Sequence, residues 1–251
     1  MTYEYKTGVM ALMKNEAHNI EEWLDHYFWL GMDQIYLIDN ASTDNSIDLA
    51  RGHARANDIQ IISLPKQHSQ RKHYQKAIRR FNIKRDCEWL MISDLDEFWF
   101  VKDGRKISEV LPDYDGIDVV YVNWTIFGSS GYKSHPKSVR KELTMRQPYL
   151  FVHSNTKWLC RTKIFSPFVT ASVHKINGGS SSRTISDNVN IQINHYMIQS
   201  EYYFREVKMT RGDATRKSKD DIRDWEMFRS VDASCTVSEY VLRDLIEKGS
   251  D

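Results

Sequence analysis

Short apolar runs alternate with amphipathic stretches along the first hundred residues of the chain. These runs are rich in the residues that favour buried strands. They lie at residues 8–13, 34–38, 59–64 and 89–92. Between them, apolar side chains recur at helical spacing over 20–30, where Gly31 is a predicted C-cap, from about Ser46 onward, and over the basic stretch 74–85. This alternation predicts an α/β fold in which a mostly parallel, Rossmann-like central sheet is flanked by helices.

Beyond residue 100 the pattern is looser, although it still predicts further elements. The predicted strands lie at 119–124, 156–161 and 191–196, and the predicted helices at 107–111, 200–209 and 237–246. Pro112 is expected to end the first of these helices, and the charge-dense segment 205–229 is expected to be mostly a solvated helical face. We therefore expect one domain over residues 1–251. Its two halves lie at about 1–100 and 101–215, and a C-terminal helical extension follows at about 216–251.

Polar side chains cluster where three of the predicted strands end. Lys14-Asn15-Glu16 follows the first strand, and Asp39 opens a polar turn after the second. Asp94, Asp96 and Glu97 follow the fourth. Because the carboxyl ends of parallel strands meet at one edge of an α/β sheet, these residues are expected to share one site. The alternative is an ordinary solvated turn, since acids are common where strands stop.

Two of these acids suggest a metal site. Asp94 and Asp96 are two residues apart on an extended turn, so both can aim carboxylate oxygens at one ion. Hard oxygen ligands suit Mg²⁺ or Mn²⁺, which typically complete their shell with substrate phosphates. A neutral histidine could join them: His174 is the first choice and His195 the second, although a lone histidine is more often a hydrogen-bonded structural residue.

Composition bounds the class of protein. With 251 residues, of which 41% are hydrophobic and 27% charged, the chain can bury one sizeable core. The formal net charge of +1 gives no overall attraction to nucleic acid. Three scattered cysteines without Cys-x-x-Cys spacing favour a reducing compartment. No stretch approaches the roughly 20 apolar residues of a membrane span, so we expect a cytoplasmic protein, whose basic segment 205–229 could contact the inner face of a membrane.

These motifs carry a resemblance to known enzymes. Residues 10–46 resemble the nucleotide-binding half of family 2-type glycosyltransferases, and 93–98 resemble their Asp-x-Asp motif. Asn123-Trp124 with the glycine-rich loop 127–131, and His195-Tyr196 with the polar positions of 200–212, are similar to family 92 glycosyltransferases. The resemblance implies a GT-A fold, a nucleotide-sugar donor such as UDP-galactose, a divalent cation (Mn²⁺ or Mg²⁺) and inversion at the anomeric carbon. It also implies a glycan or lipid-linked sugar as acceptor, as in surface polysaccharide synthesis.

The resemblance also implies roles for particular residues. Asp39 would hydrogen-bond the uracil or ribose of the donor, with Asn15 and Glu16 beside it. The metal would be held by Asp96 with help from Asp94. The diphosphate would be contacted by basic residues, for which Arg71, Lys208 and Arg211 are the candidates. Each of these residues could instead be a cap, a turn former or a surface charge.

An inverting transfer needs a base that takes the proton of the acceptor hydroxyl. The candidates are Glu142, which lies beyond the glycine-rich loop, and Glu97, which adjoins the metal motif. Tyr132 stands where related sequences often have His, which leaves the acceptor open. Two other classes remain as alternatives. One is a phosphohydrolase of the haloacid dehalogenase type, against which Phe98 after the acids counts, and the other is a non-catalytic nucleotide-sugar-binding module.

Overall fold

The structure of the protein is a computed structural model that describes residues 2–66, 69–148, 155–211 and 223–249. The strands are β1 (Tyr5–Met13), β2 (Gln34–Asp39), β3 (Ile59–Ser63), β4 (Cys87–Ile92), β5 (Glu97–Val101), β6 (Val119–Ile126), β7 (Met145–Arg146), β8 (Thr156–Arg161), β9 (Thr170–Ala171), β10 (Ile176–Asn177), β11 (Thr184–Ser186), β12 (Ile191–His195) and β13 (Val237–Ser238). The helices are α1 (Ile20–Leu30), α2 (Ser46–Gly52), α3 (Gln70–Arg80), α4 (Ile83–Asp86), α5 (Ile107–Val110), α6 (Val139–Glu142), α7 (Glu201–Tyr203), α8 (Met209–Arg211), α9 (Trp225–Ser234) and α10 (Val241–Lys248). Short 3₁₀ turns lie at Ala56–Asp58, Leu111–Tyr114, Thr162–Ile164 and Ser181–Arg183, and a turn of π-helix, Phe204–Lys208, joins α7 to α8.

Nine of these strands form one sheet. Its order is β3-β2-β1-β4-β8-β6-β12-β5, with β11 beside the first part of β6. The four strands of the first half are parallel. β8 runs antiparallel between β4 and β6, and β5 runs antiparallel to β12 at the edge. The α/β prediction with a mostly parallel central sheet is therefore confirmed.

Apolar residues cover both faces of the sheet. Val9, Ala11 and Met13 of β1 belong to one buried cluster, with the side chains of α1, whereas Met10 belongs to a second cluster that includes residues of α3. This division follows from the alternation of side chains along a strand. Because each face is covered by helices, the strands of the first half read as continuous apolar runs in the sequence.

Several element boundaries differ from the sequence prediction. The basic stretch 74–85 is two helices, since α3 begins earlier, at Gln70, and Asn82 adopts a left-handed conformation (φ 52°) before α4. α5 ends at Val110, two residues before Pro112, as predicted, and Pro112 lies in the first turn of the 3₁₀ segment that follows. The last helix begins at Val241, because residues 237–238 pair with β7 as β13. In the charged segment 205–229, for which a mostly solvated helical face is predicted, α9 begins at Trp225 and buries Phe228.

Candidate active site

The loops that follow β1 and β2 are tied to each other. Asn15 Oδ1 accepts a hydrogen bond from the Thr43 amide at 2.7 Å, and the Asn15 amide donates to Ser42 Oγ at 3.1 Å. Asp44 accepts from the Ala17 amide at 3.1 Å. Asn15 has a φ of 53°, in the left-handed region that asparagine tolerates better than most residues. The two strand ends therefore form one connected surface, as the parallel sheet predicted.

Asp39 and Glu16 are buried beside this surface. Asp39 Oδ1 accepts from the Ser42 amide at 3.0 Å and closes its own turn. The Glu16 carboxylate accepts hydrogen bonds from Asn19 at 3.2 Å and from the Tyr203 hydroxyl at 3.4 Å. Glu16 thus links the start of α1 to α7, and its predicted contact with a nucleotide stays a prediction.

Asp94 and Glu97 are joined by a buried lysine. Lys157 of β8 is fully buried, and its ammonium lies 2.5 Å from Asp94 Oδ2 and 3.1 Å from Glu97 Oε1. Glu97 also accepts a hydrogen bond from the Asp94 amide at 2.9 Å. Burial raises the pKa of Glu97 to about 8, because desolvation and the neighbouring Asp94 and Asp96 outweigh the attraction of Lys157. Lys157 therefore offsets much of the charge that two adjacent carboxylates would otherwise leave unbalanced.

Asp96 is joined by a second buried lysine and by a histidine. Lys208 forms an ion pair with Asp96 Oδ2, and His195 Nε2 lies 3.6 Å from Asp96 Oδ1. Burial acts to raise the pKa of Asp96, but Lys208 and His195 outweigh it and hold that pKa well below its usual range. Burial lowers the pKa of His195, which favours the neutral imidazole that a metal requires. The sequence had placed Lys208 at the diphosphate; in this structure it contacts Asp96.

The chemistry and spacing of these groups fit a divalent cation. Among the described residues, Asp96, Glu97 and His195 offer ligand atoms that all lie within 4.8 Å of one another. The separation of 3.6 Å between His195 and Asp96 is longer than a hydrogen bond and leaves room for shared coordination. His195 Nδ1 is buried and has no hydrogen-bond partner in the described part of the chain. Carboxylate oxygens with one imidazole suit Mn²⁺, and carboxylates alone suit Mg²⁺.

The two candidate histidines occupy different positions around Trp124. The Trp124 ring lies 4.2 Å from the His195 ring and 5.2 Å from the His174 ring, measured between centroids. His174 Nδ1 lies 3.1 Å from the Thr156 carbonyl oxygen, and His174 is not part of the acidic group. The geometry therefore favours His195, the second choice from sequence, over His174.

A cleft of about 500 Å³ opens beside the joined loops. One side is formed by the loops after β1 and β2, including Lys14, Asn15 and Asp44. The other side is formed by Val207 and Thr210, which flank Lys208 in the sequence. The π-helical turn that ends at Lys208 turns the lysine inward to Asp96 while its neighbours line this cleft. Such turns occur often at functional sites.

Arg71 and Glu142 do not belong to this acidic group. Arg71 is exposed in the first turn of α3. Arg211 ends α8, and its side chain lies outside the described residues. Glu142 accepts hydrogen bonds from the Tyr132 hydroxyl at 2.8 Å and from the Ser138 amide at 2.8 Å. It is half-buried, so a substrate hydroxyl has more access to it than to Glu97, which is completely buried.

Sequence reasoning missed Lys157 and the groups that fix the acidic turn. The Tyr27 hydroxyl donates to Ser93 Oγ at 2.5 Å and lies 3.1 Å from the Glu97 carbonyl oxygen. Trp23 Nε1 donates to the Asp94 carbonyl at 2.9 Å. One signal for Lys157 was present in the sequence, since it is a lone cation just before the apolar residues of a predicted strand. A lysine in such a place is seldom buried without an acidic partner.

Comparison with known proteins defines the class first by fold. A crystal structure of S. aureus TarS residues 1–349 is similar, with a TM-score of 0.50 and 13% identity over 77% of this chain and 61% of that chain. The complex of the same fragment with UDP-GlcNAc gives a TM-score of 0.50 and 14% identity over 96% of this chain and 71% of that chain. This similarity shows the GT-A glycosyltransferase fold.

The family follows from the sequence comparison. The model of glycosyltransferase family 92 matches residues 10–232, and the chain belongs to this family. A family 92 protein from Arabidopsis thaliana is 23% identical over 221 residues, which cover 78% of this chain and 36% of the relative. One from Oryza sativa subsp. japonica is 23% identical over 209 residues, which cover 79% of this chain and 34% of the relative. The chain thus spans about a third of the length of these curated relatives.

Within the described residues, no helix is both long and apolar enough to cross a membrane.

Proposed function

We propose that this chain is a metal-dependent, inverting glycosyltransferase that moves a sugar from a UDP-sugar, such as UDP-galactose, to a glycan or lipid-linked sugar acceptor. One observation carries the proposal: Asp96, Glu97 and His195 form a buried group at the carboxyl edge of the sheet, beside two buried lysines. That edge is where α/β sheets bind ligands. The family 92 membership supports the transferase class, and TarS, which has the same fold, is known in complex with UDP-GlcNAc.

Different side chains would hold the metal, the diphosphate and the nucleoside of the donor. Asp96 and His195 would hold Mn²⁺ or Mg²⁺, which when bound neutralises the charge that develops on the departing diphosphate. Lys157 keeps Asp94 and Glu97 together and so fixes the turn that carries Asp96. Lys208 has a flexible side chain, so its ammonium could turn from Asp96 to a phosphate oxygen. The cleft beside Asn15 would take the nucleoside, with Asp39 fixing the loop that borders it.

The metal site can be tested by calorimetric titration of UDP with and without Mn²⁺. Asp96→Asn should abolish the Mn²⁺-dependent part of UDP binding, because it removes the charge of a ligand. His195→Ala should raise the Mn²⁺ concentration for half-maximal binding at least about tenfold, the lower end of the effect of losing an outer partner of a metal ligand. His174→Ala is the matched control and should stay near wild type. If Asp96→Asn binds UDP as wild type does at the same Mn²⁺ concentration, the metal site lies elsewhere.

We assign the general base to Glu142. Its two hydrogen bonds, from Tyr132 and Ser138, fix the orientation of the carboxylate. A carboxylate has about four acceptor positions, so oxygen lone pairs remain for an acceptor hydroxyl. Tyr132 also places this segment beside α7, because its carbonyl accepts from the Glu201 amide at 3.1 Å. Tyr132 thereby links Glu142 to the start of the helical stretch that carries Lys208.

Glu142→Gln should lower kcat by on the order of 10²-fold, the scale of general-base removal, with little change in UDP affinity. The substitution keeps the shape and removes the base. Transfer to any accepted sugar would be measured, with thermal unfolding to confirm that the variant folds. Exposed Glu201→Gln is the control and should keep the wild-type rate. Near-normal turnover by Glu142→Gln would move the role to another residue.

A further inference from the structure

The outer side of α3 is built from cations. The helix buries His73, Tyr74 and Ala77 against the sheet and exposes its opposite side. The exposed cations of this side and of the following helix α4 are Arg71, Lys72, Lys76, Arg79, Arg80 and Arg85. We call these six residues the α3 basic face. The five cations of α3 are spaced so that they lie on one side of that helix, opposite the buried stripe, and Arg85 lies on α4.

Among the described residues, no acidic side chain forms an ion pair with this face. α3 contains no Asp or Glu, and Asp86, the acid of α4, accepts a hydrogen bond from the Tyr36 hydroxyl. No salt bridge between described residues involves any of the six cations. The formal net charge of the whole chain is only +1, so positive charge is concentrated here and compensated on other surfaces. Such a field attracts anionic surfaces and falls off over about 10 Å in ordinary salt.

An exposed aromatic side chain lies on the same side of the sheet. Phe168 is 90% exposed, more than any other large apolar side chain that the structure describes. Its loop leads into β9, and Ala171 of β9 belongs to the same buried cluster as Tyr74 and Ala77 of α3. Cations together with an exposed aromatic residue are typical of proteins that lie on a membrane surface, where the ring enters the headgroup region.

We propose that the α3 basic face and Phe168 dock the protein on the anionic surface of a lipid bilayer. The shape of the face favours a membrane over nucleic acid, because α3 is buried along its length against the sheet and does not project as a groove-reading helix does. The proposal places the membrane contact on α3 rather than on the segment 205–229. It does not depend on transferase activity, although a lipid-linked acceptor would lie at the same surface.

Vesicle co-sedimentation tests the proposal with the full chain. Wild type should bind vesicles of phosphatidylcholine with phosphatidylglycerol, should not bind phosphatidylcholine alone, and should be released by high salt. Each cation near an anionic surface strengthens binding about fivefold, so Lys76→Glu, Arg79→Glu and Arg80→Glu together should weaken it by on the order of 100-fold or more. Lys137→Glu, Arg229→Glu and Lys248→Glu change the net charge equally at exposed positions elsewhere, and they should retain most of the binding. Phe168→Ser should weaken binding by less than the charge reversals.

Three results would overturn the proposal. They are failure of wild type to bind anionic vesicles, equal loss of binding in the two triple variants, and binding of duplex DNA as tightly as anionic vesicles at the same salt concentration. UDP titration of the same samples separates this question from the transferase. If the chain binds UDP with Mn²⁺ but does not bind anionic vesicles, the docking proposal is refuted and the proposed transferase function is not.

Discussion

The buried charges of the site set the energetics at the scale of single residues. Asp94, Asp96 and Glu97 share a small volume with the ammonium groups of Lys157 and Lys208. Moving a charged side chain from water into the protein interior costs several kcal/mol per ion, even after the protein has relaxed around it. The lysines offset this cost through short contacts, and the Tyr27 and Trp23 hydrogen bonds hold the turn in place. Glu97 is the carboxylate for which the cost of burial outweighs the attraction of its lysine.

The raised pKa of Glu97 predicts a dependence of stability on pH. Burial raises its pKa from the ordinary 4.5 to about 8, so the folded chain keeps a proton that the unfolded chain releases. The stabilisation that comes from keeping this proton is fully present below pH 4.5 and is lost as the pH rises toward about 8. Glu97→Gln stays neutral at every pH. The wild type should therefore lose stability relative to Glu97→Gln by up to about 1.4 kcal/mol per pH unit in this window.

Urea unfolding of both proteins across the window measures that difference directly. Comparison with the variant cancels the contributions of Asp96 and His195, whose pKa values are lowered and whose effects have the opposite sign. Exposed Glu247→Gln should keep the wild-type pH dependence. A constant difference between wild type and Glu97→Gln would show that Glu97 is ionised in the folded chain throughout.

Sequence reasoning located the acids but not their partners. Asp94, Asp96 and Glu97 could be predicted to lie at a site because they follow an apolar strand directly, and strand ends are visible in the sequence. Lys157 could not, because its contact with Asp94 spans 63 residues and depends on β8 entering the sheet beside β4. The choice of His195 over His174 depends likewise on the parallel pairing of β12 with β6.

At the scale of elements, the spacing of apolar residues predicted the helices and strands of the first half of the chain better than those of the second. The parallel strands β1 to β4 are apolar runs separated by helices. The spacing of apolar residues and the residue types therefore indicate the same elements. Glu97 and the aromatic residues after it form β5, and only the four residues 93–96 separate this strand from β4. The sequence pattern predicts a turn at the acids of this segment but no strand after it. Elements such as β7 and β13 have two residues each and exist only because they pair with each other. Local propensity cannot specify such strands.

Irregular elements position the functional side chains. Helix propensity gives no warning of the π-helical turn Phe204–Lys208, yet this turn directs Lys208 into the core. Asn82 adopts the left-handed conformation just beyond the end of α3, and the preceding residue, Phe81, packs on Tyr36. A glycine is needed at position 128 for a steric reason, because a Cβ there would lie 2.8 Å from Asp232 Oδ1 and 2.9 Å from Cys235 Cβ. That glycine of the predicted ligand loop is required for packing against α9.

At the scale of the whole molecule, the sheet joins the two halves of the chain. β8 and β6 from the second half continue the sheet directly from β4 of the first half. In β8, Leu159 lies opposite Met91 of β4 on one side and Val120 of β6 on the other. The acids of the first half and the lysines and histidine of the second meet because of this shared sheet. The halves should therefore unfold together.

Leu159→Ala tests this coupling. Leu159 is fully buried in the larger apolar cluster, so its truncation should lower the free energy of unfolding by about 2–5 kcal/mol, as for other core leucines. Far-UV circular dichroism and tryptophan fluorescence, followed in one urea titration, should show a single shared transition in wild type and variant. Val189→Ala removes apolar atoms from a side chain that is 78% exposed and should change stability by no more than about 0.5 kcal/mol. Separate midpoints for the two signals would mean that the halves fold independently, and the site would then form only when both are folded.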